Sequence, residues 1–198
     1  MSIITRGFQR RRGDDERLPP GQYLTTDFPV LSAGPTPQIS LDSWMFTVRT
    51  EAGQAQKWTW REFTSLPTED ITVDIHCVTR WSKLDSRWRG VSLDTLLADA
   101  ETAADFALVH SYGGYTTNLP LEDLLDGKAW VAFKYDDDDL EPEHGGPARL
   151  LVPHLYFWKS AKWVSGLDLL LHDEPGFWEQ LGYHDYGDPW REQRYQGD

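Results

Sequence analysis

The sequence predicts an α+β fold dominated by strands. Short apolar or alternating runs recur along the 198 residues, each bounded by Gly, Pro, Asn or Asp, as short strands require. The helical patterns between them last only a turn or so. Ten tryptophans, eight tyrosines and eight phenylalanines imply heavy aromatic packing. Strands mixed with a few short helices in this way give α+β rather than repeated βαβ units. The length suits one good-sized domain, and neither an internal repeat nor a second domain is visible.

Residues 1–37 read as an arm. Roughly the first fifteen residues are charged and expected to be flexible. Leu18 to Pro37, rich in Pro, Gly and Thr, reads as an extended segment laid over a body formed by 38–198, with Leu24 to Leu31 as its apolar centre. Trp44 to Val48 is a strand, Glu51 to Gln54 a turn, and Lys57 to Trp60 the return strand. Arg61-Glu62-Phe63 opens a short helical stretch that ends near Pro67. Ile71 to Ile75 alternates like a half-buried strand, and Ser92 is a helix N-cap for Leu93 to Ala98. Phe106 to His110 is a strand, Gly113-Gly114 a turn, and Tyr115 to Leu119 an extended run into Pro120, before a helical Leu121 to Leu125. Trp130 to Tyr135, Ala148 to Val152 and Lys162 to Leu170 complete the strands. The tail from Pro175 carries Phe177, Trp178, Tyr183, Tyr186, Trp190 and Tyr195 without a period. It is expected to wrap the body with its rings buried.

Composition excludes several functions. A net charge of −13 argues against a nucleic-acid partner, which needs clustered cations. No apolar run approaches the roughly 20 residues that span a bilayer, so the chain is not expected to cross a membrane. One cysteine permits no intrachain disulfide and suits a reducing, cytoplasmic setting. Arg10-Arg11-Arg12 could begin a twin-arginine export signal, but the charged Gly13 to Arg17 follows instead of an apolar segment, so export is not expected. Asp136 to Asp139 lacks the glycine and final glutamate of a calcium loop at the required spacing and reads as a solvated loop.

The sole cysteine, Cys77, follows the strand that ends near Ile75 and stands between His76 and Arg80. Positive neighbours favour thiolate, the form that binds soft metals or attacks electrophiles. The competing reading is a buried, inert thiol.

Cys77, followed by Trp88-Arg89-Gly90-Val91 and Leu93 to Leu97, resembles the molybdenum-binding segment of the sulfite oxidase superfamily. Three further segments match in order. Val109-His110-Ser111 with Tyr115 to Leu121 resembles the region of the active-site tyrosine. His144-Gly145-Gly146-Pro147-Ala148-Arg149, followed by Val152-Pro153, resembles the cofactor segment. Ser160-Ala161-Lys162-Trp163 resembles the stretch that contacts the pterin phosphate. Together the pieces span residues 70 to 165.

The resemblance implies a sulfite-oxidase-type molybdopterin-binding domain and a molybdenum-molybdopterin cofactor, with tungsten open. Cys77 would ligate the metal and Tyr115 would face the open coordination side. Ser111, His144, Arg149, Ser160, Ala161 and Lys162 would hold the cofactor, with Thr26, Pro29 and Val30 contributing from the arm. The residue types suit this: Arg149 offers a planar fork and Lys162 a point charge for a phosphate, and backbone approaches closely at the glycines beside His144. One departure bears on substrate. Thr25 stands where sulfite oxidases carry an arginine and Asp27 at the neighbouring histidine position, which argues against sulfite. The length leaves no room for a haem domain, so a separate electron carrier is expected. The expected function is transfer of an oxygen atom to or from a small-molecule substrate. The alternatives are a sulfoxide reductase of the methionine-sulfoxide-reductase type, a non-catalytic cofactor carrier, and an acidic interaction module without cofactor.

Overall fold

The computed structural model describes residues 13–198, so Arg10-Arg11-Arg12 lies outside the described residues. Eleven strands form two mixed sheets. The first joins β1 (Tyr23–Leu24), β5 (Trp81–Ser92), β8 (Trp130–Tyr135) and β10 (Arg149–Leu151). In it β4 (Glu69–His76) also pairs with β5, and β9 (Asp138–Asp139) with β8. The second has the order β3 (Ala55–Thr59), β2 (Met45–Arg49), β11 (Val164–Leu170), β6 (Phe106–Ser111), β7 (Thr116–Pro120). Pairing is antiparallel except for β1 with β5 and β11 with β2.

Helices are as short as the sequence implies. The Thr59 side chain and Glu62 form a capping box on α1 (Trp60–Phe63). Ser92 caps α2 (Leu93–Leu97), with Thr95 N donating to its hydroxyl at 3.3 Å. The third, α3 (Phe177–Gln180), opens the tail. Leu121–Asp123 closes into a 3-10 turn rather than the expected helix.

The alternation of β8 divides the interior. Val131 and Phe133 enter a main core shared with the second sheet through Phe46, Val109, Leu119 and Leu167. Trp130 and Ala132 face the other way, into a smaller core with Ile75, Cys77, Trp81, Trp88 and Phe157. In β10 Leu150 joins the first core and Leu151 the second. Arg149, two residues from Leu151, therefore faces the cysteine side.

The sequence reading missed β5, the longest strand. Its polar letters hide an alternation in which Ser86, Trp88 and Gly90 are buried, while Asp85 and Arg87 are exposed and Arg89 is half-buried. Small hydroxyls facing inward defeat an apolar pattern count. The aspartate run is also more ordered than a solvated loop. Asp136 (φ 49°) and Asp137 (φ 72°) make the two-residue turn of a hairpin in which Asp138 pairs with Tyr135 and Asp139 with Lys134. Arg87 and Lys134 face these carboxylates at 3.0 to 3.4 Å. The tail corrects a third expectation. None of its six rings is fully buried, and Phe177, Trp190 and Tyr195 are exposed. Its buried residues include Glu179, Gln193 and Arg194. Polar anchors hold it, and its rings border the cavity and the surface.

Candidate active site

Cys77 lies in the tight link between β4 and β5. Its N–H donates to Trp81 O at 2.9 Å, and Arg80 N donates back to Cys77 O at 2.9 Å, with Arg80 at φ 77°. The turn points the thiol into a cavity of about 590 Å³, within the range of cofactor sites. Burial pushes the thiol up from its ordinary value. The Thr79 hydroxyl, donating to Sγ at 3.1 Å, opposes this, as do the N–H groups of Thr79 and Val78 and the charge of Arg149. The expected sources of activation play no such part. His76 is buried against the Ser82 hydroxyl (2.8 Å) and held down to about 4 by desolvation, so it is neutral, and Arg80 is exposed.

Arg149 is buried to 1% exposure, and its guanidinium carbon lies 4.0 Å from the Phe157 ring centroid. It donates to His144 O (2.6 Å) and Ser160 O (2.7 Å). Among the described residues no carboxylate accepts a hydrogen bond from it. Desolvation pulls it down to about 9, against the favourable fields of Tyr115 and Cys77. Lys162 stands close by, donating to Leu31 O (2.7 Å) and Glu143 O (2.6 Å). Burial and then Arg149 lower it to about 8. A buried cation lacking a counter-ion is costly, so buried Arg149 with half-buried Lys162 on the same cavity wall suits a polyanionic ligand. Gly145 permits the approach: at φ +111°, a Cβ there would meet Arg149 Cβ and Lys162 Cα, both at 3.1 Å.

His144 stacks on Phe28 of the arm, with ring centroids 3.9 Å apart. Burial, then Arg149 and Lys162, lower its pKa, so the ring is neutral. Its Nδ1 and the indole nitrogen of Trp81 are buried without partners, and both residues line the cavity. Two orphaned ring nitrogens beside a thiol and two cations fit a polar heterocycle carrying a phosphate. In the same cavity, the Tyr115 hydroxyl donates to Trp158 O at 2.6 Å. Its pKa is raised well above the ordinary value by desolvation and then by Glu179, so it remains a proton donor.

Eight of the expected residues thus line one cavity: Pro29, Cys77, Tyr115, His144, Arg149, Ser160, Ala161 and Lys162. The Ser160 hydroxyl is already engaged by Val152 N at 2.9 Å, so its carbonyl and backbone face the site's other groups. Thr26, Val30 and Ser111 are not brought to the wall. Thr26 offers its carbonyl to Lys83 at 2.6 Å, Val30 is exposed, and Ser111 sits buried at the end of β6 with its hydroxyl unpartnered. Asp27, expected to repel anions, is likewise exposed and outside the wall. Sequence reasoning missed the aromatic walls: Trp81, Phe157, Trp158, Trp178 and Tyr183. They come from three separated segments, and only the fold collects them. Among the described residues no three His, Cys, Asp or Glu gather into a metal-binding group, and the thiol of Cys77 lines the cavity.

Comparison with known proteins agrees with this chemistry. Residues 33–178 match the family model described as "Oxidoreductase molybdopterin binding domain". The chain is 40% identical over 195 residues to "Uncharacterized oxidoreductase YuiH" of Bacillus subtilis (strain 168), covering 97% of this chain and 98% of that one. It is 29% identical over 138 residues to the protein-methionine-sulfoxide reductase catalytic subunit MsrP of Gluconobacter oxydans (strain 621H), covering 60% of this chain and 44% of that one. In fold it resembles the sulfane dehydrogenase SoxCD of Paracoccus pantotrophus, with a TM-score of 0.62 at 16% identity, over 87% of this chain and 56% of that one. Among the described residues no helix is long and apolar enough to cross a membrane. On the family match, the full-length relative and the sulfite-oxidase-type fold, the chain belongs to the oxidoreductase molybdopterin-binding domain family and is a molybdopterin-dependent enzyme.

Proposed function

We propose that this enzyme moves an oxygen atom to or from a small, neutral substrate, with reduction of sulfoxides or N-oxides as its favoured direction. The observation that carries the reading is the charge inventory of the cavity. Among the described residues its wall holds two cations, Arg149 and Lys162, and no carboxylate. Both cations stand beside His144, where a pterin phosphate would consume their charge. Among the described residues no third cation lines the cavity to receive a dianion such as sulfite, and the remaining wall is mostly apolar, with nine Phe, Trp and Tyr rings. The name of the Gluconobacter relative, a protein-methionine-sulfoxide reductase, points the same way.

In this reading Cys77 holds the metal as thiolate and releases its proton when the metal binds. Arg149 and Lys162 bind the phosphate, while His144 Nδ1 and Trp81 Nε1 orient the ring system. The bound molybdenum centre supplies the two-electron redox chemistry. Tyr115, kept protonated by its surroundings, would turn its single hydroxyl proton from Trp158 O to the substrate oxygen and polarise the bond that breaks. Reducing a sulfoxide takes two electrons and two protons and releases water. The electrons come from a separate carrier, and the setting is cytoplasmic. The test is a steady-state comparison, on protein with assayed molybdenum and pterin, of sulfoxide and N-oxide reduction by an artificial donor against sulfite oxidation. Efficient sulfite turnover would overturn the reading.

A further inference from the structure

Behind the cavity lies an ion pair that the chemistry above does not use. Lys159 and Glu179 are both fully buried, with Lys159 Nζ 2.7 Å from Glu179 Oε1. The same ammonium also reaches Asn118 O (2.8 Å) and Oδ1 (2.9 Å) on β7, and Asp185 O in the tail. Glu179 Oε1 accepts in turn from the Trp158 indole at 2.9 Å and the Thr117 hydroxyl at 3.1 Å. One buried charge pair therefore joins the strand after Tyr115, the cavity wall at Trp158, and the tail.

The tail so anchored carries rings to the cavity. Tyr183 meets Trp158 edge-on at 5.1 Å and lies 4.9 Å from Trp178, while Phe177 stands 5.9 Å from Tyr115. Gly187 allows Tyr156 to bond its carbonyl at 2.8 Å, and a Cβ there would fall 2.8 Å from the Trp158 ring. Phe177 and Trp158 meet Tyr115, and Tyr183 lies within electrostatic range of Cys77. The family model matches residues 33–178, so Glu179 and Tyr183 lie outside that range, while the Bacillus subtilis relative aligns with 97% of the chain. Apolar residues of similar volume often replace a buried ion pair without loss of stability, so stability alone does not account for it. What a multiply bonded pair adds is a fixed direction for the groups it joins.

We propose that Lys159 and Glu179 are a positioning pair that docks the C-terminal tail as the substrate-side wall, making Tyr183 a specificity residue for apolar substituents beside the S–O or N–O group. This rests on the cavity's reading as an oxygen-transfer site. Substrates with an aryl or alkyl group gain from the ring wall, and the smallest sulfoxides do not reach it.

The test compares methyl phenyl sulfoxide with dimethyl sulfoxide on the metal-loaded enzyme, with pterin content and chymotryptic cleavage of the tail measured in parallel. Tyr183→Ala should raise KM for the aryl substrate about tenfold relative to the KM for dimethyl sulfoxide and leave pterin content within about twofold. In Glu179→Gln, cleavage within 177–195 should accelerate roughly tenfold or more while the body stays protected. The double variant Lys159→Met/Glu179→Leu separates positioning from stability: restored thermal stability with a persistently raised aryl KM is the expected result. Wild-type KM in that double variant overturns the proposal, as does tail cleavage unchanged in Glu179→Gln or pterin lost in step with the KM change. If those variants do not fold, Thr117→Val removes the hydroxyl donor to Glu179 outside the cavity wall and is judged by the same two measurements. A wild-type enzyme inactive on both sulfoxides would sink the oxygen-transfer reading, while the cleavage assay would still decide whether the pair docks the tail.

Discussion

Replacing Arg149 by methionine should separate folding from cofactor binding, because the two depend on its charge with opposite signs. In the cofactor-free protein the guanidinium is buried and makes charged hydrogen bonds to His144 O at 2.6 Å and Ser160 O at 2.7 Å. Losing them removes about 1.5–3 kcal/mol each. Against this stands the release of a buried charge that no carboxylate offsets, an effective penalty of several kcal/mol. A methionine keeps much of the packing against Phe157, where the guanidinium now lies 4.0 Å from the ring centroid. The net change in stability of the empty protein should therefore be small, no more than about 2 kcal/mol. The cofactor sees only loss, because a charge-assisted contact to phosphate worth about 1.5–3 kcal/mol disappears, weakening binding roughly ten- to hundredfold. Denaturant unfolding of the cofactor-free variant gives the first quantity, and pterin released from purified protein gives the second. A variant that unfolds readily yet keeps its pterin whenever folded would refute the reasoning, since Arg149 would then be a structural cation.

Three further outcomes follow from the same geometry. Cys77→Ser should keep the fold and the pterin but lose activity and the metal's protein sulfur ligand in X-ray absorption; in the empty wild-type protein, alkylation of this buried, upshifted thiol should be slow at neutral pH and speed up only above its ordinary value of 9.0. Tyr115→Phe should lower kcat by about tenfold or more, while its stability cost stays near the roughly 1–3 kcal/mol of leaving Trp158 O unpaired. Lys162 carries the pH dependence between about 8 and 9: its value is about 8 folded and empty against 10.5 ordinarily, so there the unfolded chain holds more protons and stability should rise with pH, before Arg149, pulled down to about 9, adds a rise of its own. Lys162→Met should abolish the first rise, and cofactor loading should suppress it by partnering the ammonium; a rise of equal size in the loaded enzyme would place the phosphate elsewhere.

The sequence showed the parts of the site that touch one another along the chain, and little of what the fold assembles from a distance. Cys77, His144, Arg149 and Lys162 sit in short segments whose order and spacing carried the resemblance, and all four line one cavity. Most strands were legible because one face is apolar, as in Phe106 to Ser111. By contrast, β5 was not, because Ser82, Ser86 and Gly90 face inward. The arm was read as an extended segment with Leu24 to Leu31 as its apolar centre; in the structure Phe28 packs against the smaller core, while Val30 and Leu31 are exposed. A backbone carbonyl of Leu31, invisible to any side-chain pattern, is what meets Lys162.

The tail shows the limit most clearly, since its aromatic composition suggested the rings as anchors. The anchor is instead Glu179, one acidic residue among 32 Asp and Glu in the chain, which becomes special only because β7 and Trp158 bring Lys159 to it. A charged residue is expected at the surface unless it is paired, and the pairing spans 20 positions of sequence across separate elements, with nothing local to mark it. Three of the rings, Phe177, Trp178 and Tyr183, line the cavity instead. Their placement makes the difference between a site that only holds its cofactor and one that also selects what reaches it.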